Sequence, residues 1–157
     1  MLKSVLPKIK KPVFIFSAVL MTAINLCFVV EQDWLSWGNH CLQEVFDPTA
    51  DAKLKKWELT LTDDSFIRLR KTYQNGKQEY FSFQLHQLDN IDYLGNENAG
   101  ILQLKAKSDD IIVQTYNDRK GNVDSMATVL SIPVKNMPLE RLDSLREALN
   151  YFREKGL

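Results

Sequence analysis

The side chains best suited to chemistry in this sequence are two histidines and one neighbouring thiol. His40 is followed directly by Cys41, and His86 lies in a predicted strand from Phe81 to Leu88. A zinc site needs clustered ligands, whereas adjacent residues point to different sides of a helix or strand. A hydrolase needs a base beside its nucleophile, and no Gly-x-Ser-x-Gly motif accompanies His86. We therefore expect no metal site, no cofactor and no enzyme.

The oxygen-rich segment from Asn117 to Asp124 is the other stretch with potential ligands. Aligning Gly121 with the invariant glycine of a calcium loop puts Tyr116 and Lys120 where oxygen ligands belong, so a solvated turn is the better interpretation. No phosphate-binding loop of the Gly-x-x-x-x-Gly-Lys type occurs. After position 30 the chain carries 20 acidic and 16 basic residues, which argues against nucleic-acid binding.

A group of polar residues remains as a candidate binding surface, formed by Arg68, Arg70, Tyr80 and Ser82. They fall on the outward face of one predicted hairpin. Two arginines beside an aromatic ring suit a protein partner or an anion. The alternative is a charged, solvent-facing surface that protects a β-sheet from aggregation.

The hairpin that positions these residues turns at an Asn-Gly pair. A two-residue loop would put its apolar residues on opposite faces. A three-residue loop over 74–76, with Gly76 left-handed, instead pairs Leu69 with Phe81 and gathers the apolar set on one face. A slip of one residue would turn the core outward, so the pattern favours the longer loop.

Further strands are predicted from alternation along the rest of the chain. They cover Trp57 to Leu61, a short segment from Ile91 to Leu94, and Ser125 to Val134. A second hairpin is expected to place Leu102, Leu104 and Ala106 opposite Thr115, Val113 and Ile111.

One amphipathic helix is expected at the C-terminal end. Its apolar stripe comprises Leu139, Leu142, Leu145, Leu149 and Phe152, with Asn136 as the cap and Gly156 at the far end. About six or seven antiparallel strands followed by this helix make an α+β, mainly β domain. Over residues 56–155 the order of elements resembles a pleckstrin-homology-like barrel, in which the last helix closes one end of a bent sheet. A curled antiparallel sheet without closure is the alternative, and the resemblance implies no functional residue.

The start of the chain has the character of a membrane anchor. Four lysines precede an apolar run from Val13 to Val30, and no acidic residue does. Eighteen helical residues span about 27 Å, close to a bilayer core of ~30 Å. The positive-inside rule then places the N-terminus in the cytosol and the rest outside, in the periplasm if the cell is bacterial. A cleaved signal peptide is the alternative. A typical signal peptide, however, has an apolar region of only about 7–15 residues with a small-x-small cleavage site behind it, and the run here is longer.

Three residues of this region are candidate contacts with other helices. Asn25 would carry an amide within the span, where it needs a hydrogen-bond partner on another helix or on its own backbone. Trp34 and Trp37 follow the span and suit either an aromatic belt at the membrane surface or a partner contact.

These features divide the chain into a basic tail (1–12), a single-pass signal-anchor helix (13–30), a juxtamembrane helix and linker (31–55) and an exported β-rich domain (56–157). We predict a non-catalytic accessory or assembly subunit of a larger membrane protein complex. The candidate partner-binding residues are Asn25, Trp34, Trp37, Arg68, Arg70 and Tyr80. The alternatives are a module that binds a lipid or small apolar molecule and, third, a hydrolase built around His86. No internal disulfide is expected, and Cys41 is free or bridges to a second chain.

Overall fold

The computed structural model describes residues 33–155. Helix α1 occupies residues 33–45, and the elements that follow are β1 (Leu54–Leu61), β2 (Phe66–Tyr73), β3 (Gln78–Gln84), β4 (Leu88–Gly95), β5 (Ala99–Ala106), β6 (Ile111–Tyr116), β7 (Asp124–Ala127), β8 (Val129–Lys135) and helix α2 (Leu139–Glu154). Single 3₁₀ turns lie at Pro48–Ala50 and Leu85–Gln87. Within the described residues no helix is long and apolar enough to cross a membrane. The predicted span over 13–30, its Asn25 and the predicted cap Gly156 lie outside them.

The strands form two antiparallel sheets. The large sheet has the order β1-β2-β3-β6-β7, and the small sheet has the order β4-β5-β8. The prediction of a mainly β domain with one C-terminal helix is confirmed. The prediction of a single curled sheet or closed barrel of six or seven strands is wrong, because eight strands divide between two sheets and residues 33–155 contain no closed barrel.

The first hairpin has the predicted register. Leu69 lies opposite Phe81, and Gly76 is left-handed with φ of 85°. The Gly76 amide donates to the Tyr73 carbonyl at 3.0 Å, and the Tyr73 amide donates to the Lys77 carbonyl at 2.9 Å. The loop therefore has three residues, and a glycine occupies its left-handed position as the turn requires.

The predicted second hairpin is wrong. Strand β5 pairs with β4 and β8, whereas β6 pairs with β3 and β7. The polar turn after Ala106 carries the chain from one sheet to the other, so the two strands never become neighbours in a ladder. With both its edges occupied, β5 is the central strand of the small sheet, and Leu102 and Leu104 are fully buried.

The predicted strand from Ser125 to Val134 is divided into β7 and β8. The break falls at Thr128, whose carbonyl accepts a hydrogen bond from the Ala106 amide at 2.8 Å. Here the chain leaves the large sheet and enters the small one. The continuous alternation of apolar residues in the sequence is therefore divided between a strand of each sheet.

The core lies between the sheets and under the two helices. Its fully buried side chains come from the large sheet (Leu59, Ile67, Leu69, Phe83, Ile111), the small sheet (Leu88, Leu102, Leu104, Leu130, Ile132), α1 (Leu42, Val45) and α2 (Leu145, Leu149, Phe152). Burial of this apolar surface supplies most of the driving force for folding.

Helix α2 begins later than predicted. Its N-cap is Pro138, not Asn136, and no side chain caps it. Asn136 is left-handed with φ of 50°, because its amide and that of Met137 donate to the β4–β5 turn at the carbonyls of Asn98 and Glu97. Leu139 is exposed and so leaves the predicted stripe, whereas the other four members are buried.

Candidate partner-binding site

The candidate site is the outer face of the large sheet, opposite the core. One cross-strand row on this face consists of Glu58, Arg70, Tyr80 and Gln114, contributed by β1, β2, β3 and β6. Their neighbours along each strand point inward, as Leu69 does with no exposed surface. The period of two along a strand thus places charged and aromatic side chains together on the side away from the core.

Three shallow grooves cross this face, and Arg70 lines all of them. The largest, the Arg70 groove, has a volume of about 330 Å³ and is lined by Arg70, Gln78, Tyr80 and Tyr116. A second groove of about 200 Å³ is lined by Glu58, Thr60, Arg68, Arg70 and Tyr80. A third of about 180 Å³ is lined by Lys56, Trp57, Glu58, Arg70, Thr72 and Gln78. Arg70 is therefore the side chain that the three grooves share.

The two arginines differ in how they are held. The Arg70 guanidinium carbon lies 5.6 Å from the centroid of the Tyr80 ring, in a cation–π contact. Arg68 lies over Phe66 at 5.1 Å and approaches Asp64 with an Nη2–Oδ2 distance of 3.7 Å. The Nε of Arg68 is buried without a hydrogen-bond partner. Arg68 is thus part of the local structure, and Arg70 presents its charge outward.

A larger hollow of about 520 Å³ lies at the end of the first hairpin, and its charges neutralise one another. The Lys77 ammonium lies 3.0 Å from Glu79 and 2.9 Å from Asp118, and the Tyr73 hydroxyl donates to Glu79 at 2.7 Å. Hydrogen bonds to Asp118 and Glu79 raise the pKa of Lys77. Burial and then the hydrogen bond to Glu79 raise the pKa of Tyr73. This internally paired network ties the hairpin to the β6–β7 turn.

Of the residues predicted to bind a partner, the structure brings together Arg68, Arg70 and Tyr80. Ser82 faces the same side but is only 5% exposed, and it lines none of the three grooves. Trp34 and Trp37 lie on α1 and are half-buried, and both make contacts. The groove walls come from β1, β2, β3 and β6.

Comparison with known proteins adds no family to these observations. No protein-family model, curated protein or solved structure is similar to this chain.

Gln78 and Tyr116 complete the Arg70 groove and were missed at the level of sequence. They lie directly opposite each other only because β3 pairs with β6. The predicted pairing of β6 with β5 would instead place Tyr116 in the other sheet. The usable signal was the alternation in β6, which puts Tyr116 on the same face as Gln114.

A second missed feature joins α1 to the edge of the large sheet; we call it the α1–β1 joint, formed by Gly38, Asn39 and Leu61. The side-chain Oδ1 of Asn39 accepts a hydrogen bond from the backbone N–H of Leu61, and its Nδ2 donates to the Leu61 carbonyl, both at 2.8 Å. It thereby acts as a neighbouring strand would at the open edge of β1. A Cβ at Gly38 would lie only 3.1 Å from a Leu61 methyl, so the glycine permits this close approach.

The joint is reinforced where α1 ends. The Phe46 ring stacks on Trp57 of β1 with centroids 4.3 Å apart, and Phe46 also forms a bridge to Val134 of β8. Cys41 lies in the same packed helix, has a free thiol and is 4% exposed. Burial raises the pKa of this thiol. A bridge to a second chain would require this buried thiol to become exposed.

His86 is not in a strand, as the sequence suggested, but in the 3₁₀ turn after β3. Its Nε2 donates to the carbonyl of Lys155 at the end of α2, and its Nδ1 accepts from the Gln84 amide at 3.3 Å. The Lys155 ammonium in turn donates to the Asp63 carbonyl at 2.7 Å. Among the described residues, no three of His, Cys, Asp and Glu come together as a metal site requires. His86 therefore fastens α2 to the sheet.

Replacing His86 by alanine is expected to lower the free energy of unfolding by about 1 kcal/mol, since one partly buried hydrogen bond to the helix end is lost. The measurement is urea unfolding of the full chain in a neutral detergent, followed by tryptophan fluorescence. The matched control is Gln87→Ala, because Gln87 is the exposed next residue of the same turn. An unchanged midpoint for His86→Ala would contradict the fastening role.

Proposed function

We propose that this protein is a non-catalytic accessory or assembly subunit of a larger membrane protein complex. In this proposal residues 13–30 anchor it by a single span, with the N-terminus in the cytosol. The β domain then lies outside the cytosol, in the periplasm if the cell is bacterial. The lysines before the apolar run support this orientation.

The α1–β1 joint is the observation that carries the proposal. The helix that follows the predicted span is part of the folded domain, through Asn39, Gly38 and the stack of Phe46 on Trp57. Only residues 31 and 32 separate the end of the predicted span from the described helix. With so short a connection, a domain suits docking at one place on a partner, whereas an enzyme or receptor on a long tether searches a volume set by its linker.

The interior of the domain favours this function over an internal ligand site. Side chains such as Phe83, Leu102, Ile132 and Phe152, which have no exposed surface, fill the space between the sheets and α2. A lipid-binding module needs an apolar pocket of about 300–1,000 Å³. Two hollows described above fall in that range, and charged or amide side chains line both. The Arg70 groove has Arg70 and Gln78 beside its two tyrosines, and the larger hollow is lined by Asp51, Lys53, Lys77 and Glu79 together with Tyr73, Gln74 and Asn75.

The contacts of His86 support a role without catalysis. Both ring nitrogens are engaged, one by the Lys155 carbonyl and the other by Gln84. A general base needs a ring nitrogen free to take a proton from a nucleophile.

The proposal is tested by purifying the affinity-tagged full chain from its native membranes in a mild detergent. We expect at least one membrane protein to accompany it at a fixed stoichiometry. A second preparation carries an unrelated single-span anchor in place of residues 1–32. If the chain with the foreign anchor supports full function and nothing accompanies the natural chain, the accessory-subunit proposal is wrong.

A further inference from the structure

The charge of Arg70 has no carboxylate partner within the part of the chain that the structure describes. Glu58 lies directly opposite it in the ladder between β1 and β2. Cross-strand neighbours of opposite charge commonly pair. Yet the ion pairs between residues 33 and 155 include neither Arg70 nor Glu58, and Arg70 contacts the Tyr80 ring instead.

The charges at the end of the first hairpin, in the same sheet, are paired with one another. There Lys77 is shared by two carboxylates at 3.0 and 2.9 Å. In the small sheet Lys105 contacts Asp92, which lies across the strand pair. Arg70 is thus a guanidinium that lies against an aromatic ring and lines a groove, with no carboxylate partner among the described residues.

Beside the Arg70 guanidinium, the walls of the Arg70 groove are uncharged, so they suit an uncharged group of a ligand. Tyr80 and Tyr116 are contributed by adjacent strands β3 and β6, and the Tyr116 hydroxyl is held by Gln114 at 2.9 Å. Gln78 lies opposite Tyr116 and offers an amide at the groove wall. Tyrosine and arginine are the residue types that most often carry binding energy at protein interfaces.

We propose that the Arg70 groove binds a carboxylate-bearing side chain of an extended segment of the partner protein, with a flanking apolar or aromatic side chain between Tyr80 and Tyr116. This inference rests on the proposed function as a subunit that binds another protein. The carboxylate forms bidentate hydrogen bonds, which Arg70 does not make with the described residues. Glu58 then selects for a basic or amide side chain further along the same segment.

An anionic membrane surface fits this face less well. Attraction to anionic lipids needs several uncompensated basic residues. Here Glu58 lines the second and third grooves, and Asp64 pairs with Arg68. The face is therefore suited to one specific carboxylate rather than to a charged plane.

The test uses two matched peptides and the full chain in a neutral detergent. The acidic probe is acetyl-Lys-Ser-Phe-Glu-Phe-Ser-Lys-amide, and the control probe replaces its Glu by Gln. Both are net positive and the chain after position 30 is net negative, so non-specific attraction favours the control. The readout is the ring signal of Tyr80 in protein labelled with ¹³C-tyrosine, assigned with Tyr80→Phe.

We expect the Glu peptide to bind at least about tenfold more tightly than the Gln peptide, and Arg70→Gln to remove that preference. Arg119→Gln is the matched control, because Arg119 is exposed in the β6–β7 turn, outside the three grooves. It is expected to leave the preference unchanged. The preference also weakens with added salt, because an exposed charge pair is screened.

Equal binding of the two peptides, or a preference that survives Arg70→Gln, would overturn the inference. So would a tighter Arg70-dependent interaction with soluble dihexanoyl phosphatidylglycerol, which would assign the groove to a lipid headgroup. The accessory-subunit proposal is tested separately, since co-purification from native membranes uses no peptide. A partner that stays bound to Arg70→Gln would leave the proposed function intact and remove the groove from it.

Discussion

Replacing Asn39 by leucine is expected to lower the free energy of unfolding by about 2–4 kcal/mol, a large part of the ~5–15 kcal/mol that stabilises a typical domain. The substitution leaves the amide and the carbonyl of Leu61 without partners at the edge of β1. Each partly buried backbone group without a hydrogen bond costs about 1–3 kcal/mol. Leucine is close to asparagine in size, so the effect reports the lost bonds rather than a cavity.

The measurement is urea and thermal unfolding of the full chain in neutral detergent. His40→Leu is the matched control, because His40 is the exposed next residue of the same helix and forms only a surface contact with Glu44 at 3.6 Å. It is expected to change the stability by less than about 0.5 kcal/mol. Hydrogen exchange at Leu61 should rise in Asn39→Leu only. Equal stability of the two variants would contradict the α1–β1 joint.

Replacing Gly95 by alanine is expected to destabilise the domain by about 2–4 kcal/mol. The positive φ disfavours any residue with a Cβ, and the added Cβ would also clash with nearby backbone atoms. Gly95 has φ of 152°, and a Cβ there would lie 2.4 Å from the Cα of Gly100 and 2.5 Å from the carbonyl oxygen of Ala99. Both contacts are with backbone across the β4–β5 turn, so neither is relieved by turning a side chain.

Gly76→Ala is the control that separates the two reasons. Gly76 also has a positive φ, of 85°, but no atom lies within 4 Å of the added Cβ. Its cost is the conformational one alone, about 1–2 kcal/mol. Gly95→Ala should also increase hydrogen exchange at Asn136 and Met137, whose amides donate to the β4–β5 turn. Equal destabilisation by the two alanines would show that the close approach at Gly95 is not rigid.

The sequence predicted the register of the first hairpin, whose strands follow each other along the chain, but not the pairing of β3 with the distant β6. The register of the first hairpin followed from one loop and two alternating strands, because Gly76 and the match of Leu69 with Phe81 lie close together along the chain. The pairing of β3 with β6 joins residues that are 28 to 38 positions apart. Nothing in the alternation of β6 distinguishes β3 from β5 as its neighbour, and loop length favoured the wrong choice.

The candidate site divides in the same way. Arg68, Arg70 and Tyr80 were predicted together because they belong to that hairpin. Tyr116 joins them only through the distant pairing. The roles of Asn39 and His86 were invisible for another reason. A polar residue on a helix or in a turn has the same pattern in sequence whether it faces water or bonds a distant backbone group, and only the fold decides.

The small domain packs onto the helix that follows its predicted anchor, and Arg70 on its outer face is in no ion pair with the described residues. The packed interior and the engaged histidine are the reasons that the proposal places binding on the surface of the domain. The Arg70 groove and the α1–β1 joint are separate features, so variants of each give separable results. Arg70 variants should bind less and remain folded, whereas Asn39 variants should unfold more readily.

The most direct test is quantitative co-purification of the tagged full chain from native membranes, compared among the wild type, Arg70→Glu and Arg119→Glu. We predict that the wild type and Arg119→Glu retain the same membrane protein at a fixed stoichiometry, and that Arg70→Glu retains at least about tenfold less while its unfolding midpoint is unchanged. A wild-type chain that is recovered alone, under conditions that keep other complexes of the same membrane intact, would contradict the account.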